Sequence, residues 1–365
     1  MFNNFYKGKK VVVTGHTGFK GSWLCNWLVS LGAEVSGISD DIPTSPSLFQ
    51  ITDLEKNIDH HICDATDTVA FKALLNKLSP DVIFHLAAQA IVSTSYEKPL
   101  ETIMSNAYGT ANVCDYLKDC QHLITCVLIT SDKCYENVEW EYGYRENDTL
   151  GGKDIYSASK ACAEILYSSY FHSFLKHKAN VRVCTARAGN VIGGGDWAKD
   201  RIVVDMFKSW SKGESVKIRS PLATRPWQHV LEPLSGYLHL GAKLSQDESI
   251  NGQSFNFGPK SEQNRTVIDL AGDLFIRLKD QISARIPYEV VDNKPFHEAG
   301  LLKLCCDKAS MRLNWQANLH YEQCVDFIGD WYSAYLQDND MGQVTSEQIR
   351  QYCILAQDAD LIWTK

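Results

Sequence analysis

The run Val11-Val12-Val13-Thr14 passes directly into Gly15-His16-Thr17-Gly18-Phe19-Lys20-Gly21 and then into an apolar periodic segment over 23–31; no other stretch constrains the fold as strongly. The β-branched run reads as a short buried strand, and the spacing after the glycines reads as a helix. In that arrangement the backbone N–H groups of the turn and the helix N-terminus face outward together, which suits a pyrophosphate. The glycines are spaced G-x-x-G-x-x-G rather than G-x-G-x-x-G. Such a run also serves as a plain tight turn. Its place directly after the first strand favours cofactor binding through Gly15, Thr17, Gly18, Phe19, Lys20 and Gly21.

The same rhythm continues downstream. Glu34-Val35-Ser36-Gly37-Ile38 reads as a second strand, after which an acid for the adenosine ribose is expected. Ser39, Asp40 and Asp41 stand there; Asp40 is taken as the ribose ligand, although either acid could simply be solvated. No arginine is ready for a 2′-phosphate, so NAD is expected rather than NADP. The loop 41–54, with Pro43 and Pro46, could reach over the cofactor. Ile62-Cys63-Asp64 ends a third strand and places Asp64 either at an adenine edge or as N-cap of a helix over 68–78. A fourth strand runs from Pro80 into the small residues Ala87 and Ala88, with Gln89 next, where a cofactor can approach the backbone. Asn106 is expected in a helix packed beside the active-site helix, and Cys126-Val127-Leu128-Ile129 delivers Thr130 and Ser131. Repeated strand–helix alternation predicts an α/β fold with a doubly wound parallel sheet.

The apolar content of 44% over 365 residues supports a large core, in two domains or one with a substantial extension. The expected division is a nucleotide-binding domain over 1–190, which a later strand near 255–258 could join, a smaller interleaved lobe over 191–340, and a peripheral tail over 341–365. A net charge of -8 without a Lys/Arg run argues against nucleic acid as a partner. No signal-peptide pattern and no long apolar run point to a membrane, and twelve cysteines without C-x-x-C read as reduced thiols in a cytoplasmic protein. His60-His61 lacks metal-ligand spacing, so no metal is expected.

Chemistry concentrates between Thr130 and Lys160. Tyr156 and Lys160 are four apart and share a helix face, where an ammonium would favour phenolate over a phenol of pKa about 10. Ser131, at a strand end, could hydrogen-bond the same substrate hydroxyl. Alone, Y-x-x-x-K occurs by chance in many helices, and Asp132-Lys133 could be an exposed turn pair; the upstream strand and glycine turn weigh against both.

The glycine spacing, His85-x-Ala87-Ala88 and Tyr156-x-x-x-Lys160 together resemble the extended short-chain dehydrogenase/reductase superfamily. Within it, Thr130-Ser131-Asp132-Lys133, the block from Arg187 through Asn190 and the Gly193-Gly194-Gly195 run to Asp196-Trp197, and Arg225-Pro226-Trp227-Gln228-His229-Val230 resemble CDP-glucose 4,6-dehydratases, and the likeness spans about 9–331. The resemblance implies a Rossmann fold and NAD-dependent oxidation at the sugar C4, water loss across C5 and C6, and return of the hydride to C6. Tyr156 would take the C4 hydroxyl proton, Lys160 would hold the nicotinamide ribose, and Ser131 would orient the hydroxyl. Asp132 and Lys133 occupy the positions of the acid and base for water loss, Asp132 being a plausible protonated acid in a dry site. The dTDP-glucose enzymes carry glutamate where Lys133 stands. Lys133 must therefore be held neutral to act as base, or stay charged and stabilise an enolate.

Asn190, Trp197, Arg201 and Arg225 are the expected substrate ligands: the glycine run around a phosphate, Arg225 as a fork for diphosphate. Trp197 and Trp227 would stack on a base or belong to the core, and His229 reads as scaffold. The segment from Glu298 to Trp315 resembles the family's closing segment. A 4-epimerase, a dehydratase of a GDP- or UDP-linked sugar, and a silent NAD-binding regulator remain the competing readings. A homodimer through helices near 100–118 and 156–175 is implied by resemblance only.

Overall fold

A computed structural model describes residues 1–260, 263–292 and 301–365; Glu298 lies outside them. In chain order come β1 (Lys10–Thr14), α1 (Phe19–Ser30), β2 (Glu34–Ser39), the short α2 (Leu48–Ile51), β3 (Asp59–Ile62), α3 (Thr68–Leu78) and β4 (Val82–His85). Next are α4 (Val92–Glu97), α5 (Pro99–Ile103), α6 (Gly109–Asp119), β5 (Ile124–Ile129), α7 (Ile155–Tyr170) and β6 (Val181–Ala188). Helix α3 is capped by Asp67, which accepts from the amides of Val69 and Ala70, so the N-cap role considered for Asp64 belongs to Asp67. Asp64 instead turns back on the Thr66 amide.

After β6 the elements shorten: β7 (Val191–Ile192), α8 (Ile202–Ser211), β8 (Val216–Ile218), β9 (Thr224–Arg225), β10 (Gln228–His229), α9 (Leu231–Leu244) and β11 (Ser254–Phe257). β12 (Arg265–Thr266), α10 (Val267–Leu278), β13 (Tyr288–Val290), α11 (Asp307–Leu313), α12 (Tyr321–Leu336) and α13 (Met341–Asp358) close the chain. The main sheet is parallel in the order β11-β6-β5-β4-β1-β2-β3, so β11 does pair with β6. The order reverses between β1 and β4, and a ligand crevice opens at the carboxyl ends of strands beside such a switch point. Helix α9 is buried along almost its whole length and contacts β5 and β6.

The tail is not peripheral. α13 buries Met341, Thr345, Gln348, Ile349, Tyr352 and Ala356, one stripe at helical spacing, and Trp363 stacks between Phe2 (5.4 Å) and Tyr352 (5.7 Å). Its other face is polar enough to hide that stripe from a reading by overall polarity. Among the described residues no helix is long and apolar enough to cross a membrane, and no cluster of side chains could hold a metal ion. All twelve cysteines are free thiols.

Candidate active site

A cleft of about 1180 Å³ lies at the carboxyl ends of β1, β4 and β5. The turn between β1 and α1 forms one wall. Gly15 has φ +73°, and a side chain there would meet the Ala87 amide nitrogen at 2.8 Å, so glycine is required on both counts. α1 has Gly18 as its N-cap, with neither a side-chain cap nor an acidic residue in its first turn, leaving its amides free for an anion. Thr14 ties this wall to β4: its hydroxyl pairs with His85 Nδ1 at 2.8 Å and accepts from the Ala87 amide at 3.1 Å. These features fit a dinucleotide pyrophosphate.

The cofactor residues read from the sequence, Gly15, Thr17, Gly18, Phe19, Lys20, Gly21, Asp40, Asp64, Ala87, Ala88, Gln89, Thr130, Tyr156 and Lys160, all line this cleft. Asp40 is exposed just past β2, where it accepts from the Asp41 amide. Asn106 does not reach the cleft. It is buried behind it, donating to the Gln89 carbonyl (3.0 Å) and to Ser159 (2.9 Å), and so braces the wall against α7.

The opposite wall carries the reactive side chains. β5 ends in Thr130-Ser131, and a single 3-10 turn, Asp132–Cys134, follows. The Ser131 hydroxyl donates to Asp132 Oδ1 (3.0 Å) and accepts from the Lys133 amide (3.2 Å), fixing the turn locally. Asp132 is buried against Gly189, where a side chain would meet its Oδ2 at 3.2 Å. α7 begins at Asp154, which accepts from the amide (2.9 Å) and hydroxyl (2.7 Å) of Ser157; that cap presents Tyr156 and Lys160 to the same space as Ser131, Asp132 and Lys133.

Burial pushes the Tyr156 phenol above its ordinary value, opposed by the Arg201 guanidinium and the Ser131 hydroxyl. Burial also brings the Lys160 ammonium down to about 8, against Cys134 and Glu164. Lys20 is lowered to about 8 as well, by burial first and then by Arg201, with Asp132 opposing. The Arg201 guanidinium, read from the sequence as a substrate ligand, therefore also favours the phenolate.

Of the substrate residues, Asn190, Trp197 and Arg201 line the cleft. Trp197 is mainly core, edge-on to Phe207 (5.7 Å) and Tyr332 (5.9 Å), and Trp227 is buried with its indole donating to the Arg265 carbonyl. Arg225 is not among the lining residues: it sits on β9, paired with Arg265 on β12, and donates to the Thr224 carbonyl. In the glycine run, Gly194 packs where a side chain would collide with Trp331, so that glycine admits a tryptophan rather than a phosphate. His229 is buried scaffold, accepting from the Leu231 amide. Sequence reading passed over Asp196 and Lys208, both lining the cleft; Asp196 is buried, which raises its carboxyl, with Arg201 opposing. Its place between the glycines and Trp197 was the available signal. The cleft lining is balanced in charge: Lys20, Lys133, Lys160, Arg201 and Lys208 are among its cations, and Asp40, Asp64, Asp132 and Asp196 among as many acids.

The family profile described as GDP-mannose 4,6 dehydratase matches residues 12–327. The chain is 42% identical to the CDP-glucose 4,6-dehydratase of Salmonella typhimurium, covering 96% of this chain and 97% of that one. Among solved structures it resembles an epimerase of Methanothermobacter thermautotrophicus (TM-score 0.77, 21% identity, 96% of this chain and 97% of that one). It also resembles the dTDP-glucose 4,6-dehydratase of Bacillus anthracis in complex with NAD (TM-score 0.73, 17% identity, 92% and 99%). At those identities the structures speak for the Rossmann fold alone.

Proposed function

The chain belongs to the GDP-mannose 4,6 dehydratase family, and from that premise we propose that it is an NAD-dependent nucleotide-sugar 4,6-dehydratase converting CDP-glucose to CDP-4-keto-6-deoxyglucose. The observation that carries this reading is the meeting of two reactive sets in one cleft: Ser131, Tyr156 and Lys160 for oxidation, Asp132 and Lys133 for water loss. A 4-epimerase has no use for the second set. The near full-length likeness to the Salmonella enzyme supports CDP-glucose as the donor.

Bound NAD would take the C4 hydride and later give it to C6. Gly15, Gly18 and the first turn of α1 would hold its pyrophosphate, Asp40 the adenosine ribose, and Lys160 the nicotinamide ribose. Ser131 orients the sugar C4 hydroxyl, and Tyr156 takes its proton. The resulting ketone acidifies the C5 hydrogen. Asp132 then protonates the departing C6 oxygen, which leaves as water, while Lys133 serves the C5 side as a neutral base or as a cation on the enolate. Asn190 and Arg201 meet the nucleotide sugar. The reaction belongs in the cytoplasm, supplying a deoxysugar for surface polysaccharide such as lipopolysaccharide.

The test is to incubate purified protein and NAD separately with CDP-, dTDP-, UDP- and GDP-linked glucose and assay the alkali-induced absorbance of a 4-keto-6-deoxy sugar. Product from CDP-glucose alone is expected. A C4 epimer, or no such product from any of them, contradicts the reading.

The enzyme is further proposed to act as a homodimer through the helices over 99–119 and 155–175. Leu100 (76% exposed), Met104, Tyr108, Ile165 and Phe174 give these helices an apolar outer face. Light scattering after size exclusion is expected to give a dimer, and Leu100→Glu with Ile165→Glu a monomer; a monomeric wild type refutes it.

A further inference from the structure

The proposed chemistry needs groups from two separate elements, the turn after β5 and the helix α7, held in fixed relation. Misplacement of a reacting group by about 1 Å costs about 10²-fold in rate. Behind the cleft lies a polar cluster that no step of the reaction uses. Glu164, on α7 one turn beyond Lys160, and Arg187, on β6, form a buried two-point ion pair: Nε to Oε1 at 2.9 Å and Nη2 to Oε2 at 2.7 Å.

Each partner also holds one end of the reactive turn. The Thr130 hydroxyl donates to Glu164 Oε1 at 2.5 Å, immediately before Ser131. Arg187 Nη1 donates to the Tyr135 hydroxyl at 2.7 Å, directly after Cys134, and the guanidinium lies over the Tyr135 ring at 5.0 Å. The Tyr135 hydroxyl donates onward to Asn256 Oδ1 on β11 at 2.8 Å. Thr185 (3.0 Å) and Ser254 (3.2 Å) complete the carboxylate's partners. A buried ion pair is weak evidence for stability, because apolar residues of similar volume often serve as well. What apolar residues could not do is anchor two hydroxyls at the ends of a six-residue segment and tie both to the helix bearing Tyr156 and Lys160.

We infer that Glu164 and Arg187 are positioning residues: one buried ion pair clamps the segment from Thr130 to Tyr135 at both ends and fixes Asp132 and Lys133 relative to Tyr156 and Lys160. The kinetic part of this inference rests on the dehydratase reading above. Within the clamp, Thr130 secures the Ser131 end and Tyr135 the end nearer Lys133. Loosening only the Tyr135 end disturbs water loss and leaves C4 oxidation in register.

Glu164→Gln leaves a guanidinium in the interior without its carboxylate and is expected to damage the fold itself. Tyr135→Phe therefore carries the test. It keeps the ring under Arg187, whose Nη1 retains the Glu146 carbonyl at 3.0 Å. In single turnovers of the NAD-loaded enzyme with CDP-glucose, reduced-nicotinamide absorbance is expected to rise within about twofold of the wild-type rate. Its decay is expected to slow about tenfold, and KM to hold within about twofold. Rise and decay slowing together, or neither changing, overturns the clamp. A wild type that forms no keto-deoxy product overturns the dehydratase reading instead. In that case hydrogen exchange judges the clamp: the Cys134 and Tyr135 amides, bonded to the Ser131 and Asp132 carbonyls, should exchange faster in Tyr135→Phe with the rest of the sheet unchanged. Unchanged exchange at those amides refutes it.

Discussion

Tyr156→Phe is expected to lower turnover of CDP-glucose about 10³-fold, within the range that a positioned general base contributes. The substitution removes one oxygen from a buried ring and leaves the Asp154 cap of α7 intact, so Lys160 keeps its place and NAD should bind as before. With no acceptor for the C4 hydroxyl proton, oxidation fails first. Stopped-flow absorbance should therefore find reduced nicotinamide forming as slowly as the final product, with nothing accumulating between them. A wild-type burst of reduced nicotinamide in this variant would remove Tyr156 from the proton transfer.

The parts of this site that could be read in the chain share a property: their information is local. The valine run of β1, the glycines behind it and the four-residue step from Tyr156 to Lys160 each lie within one strand, turn or helix, and the fold brings them to one cleft. The unread parts depend on distant partners. Arg225 looked like a diphosphate fork because arginine so often is one, but pairing of β9 with β12 turns that segment away from the cleft lining. Asn106 was placed beside the right helix, yet only the positions of Gln89 and Ser159 make it a brace rather than a ligand. The stripe of α13 is diluted by glutamines, and its destination depends on Phe2 and Trp27 at the other end of the chain. Glu164 had no sequence signal: its partners Thr130, Thr185, Arg187 and Ser254 come from three strands of the sheet and their ends.

Asp132→Asn is expected to spare oxidation and slow water loss about 10²-fold, the opposite signature to Tyr156→Phe. Asparagine is close in shape, and its Oδ1 can still accept from Ser131, so the turn and the oxidising set stay in place. What it lacks is a carboxyl proton for the C6 oxygen. Reduced nicotinamide should then appear at the wild-type rate and persist, and mass spectrometry of the quenched reaction should find ketone that has not lost water. Lys133→Met in deuterated solvent separates the two roles open to Lys133. Loss of deuterium incorporation at C5 identifies it as the base, whereas retained incorporation with a slower reaction identifies it as the cation facing the enolate. If Tyr156→Phe and Asp132→Asn instead delayed reduced nicotinamide equally, oxidation and elimination would not be divided between the helix and the turn, and the proposed assignment of roles would fall.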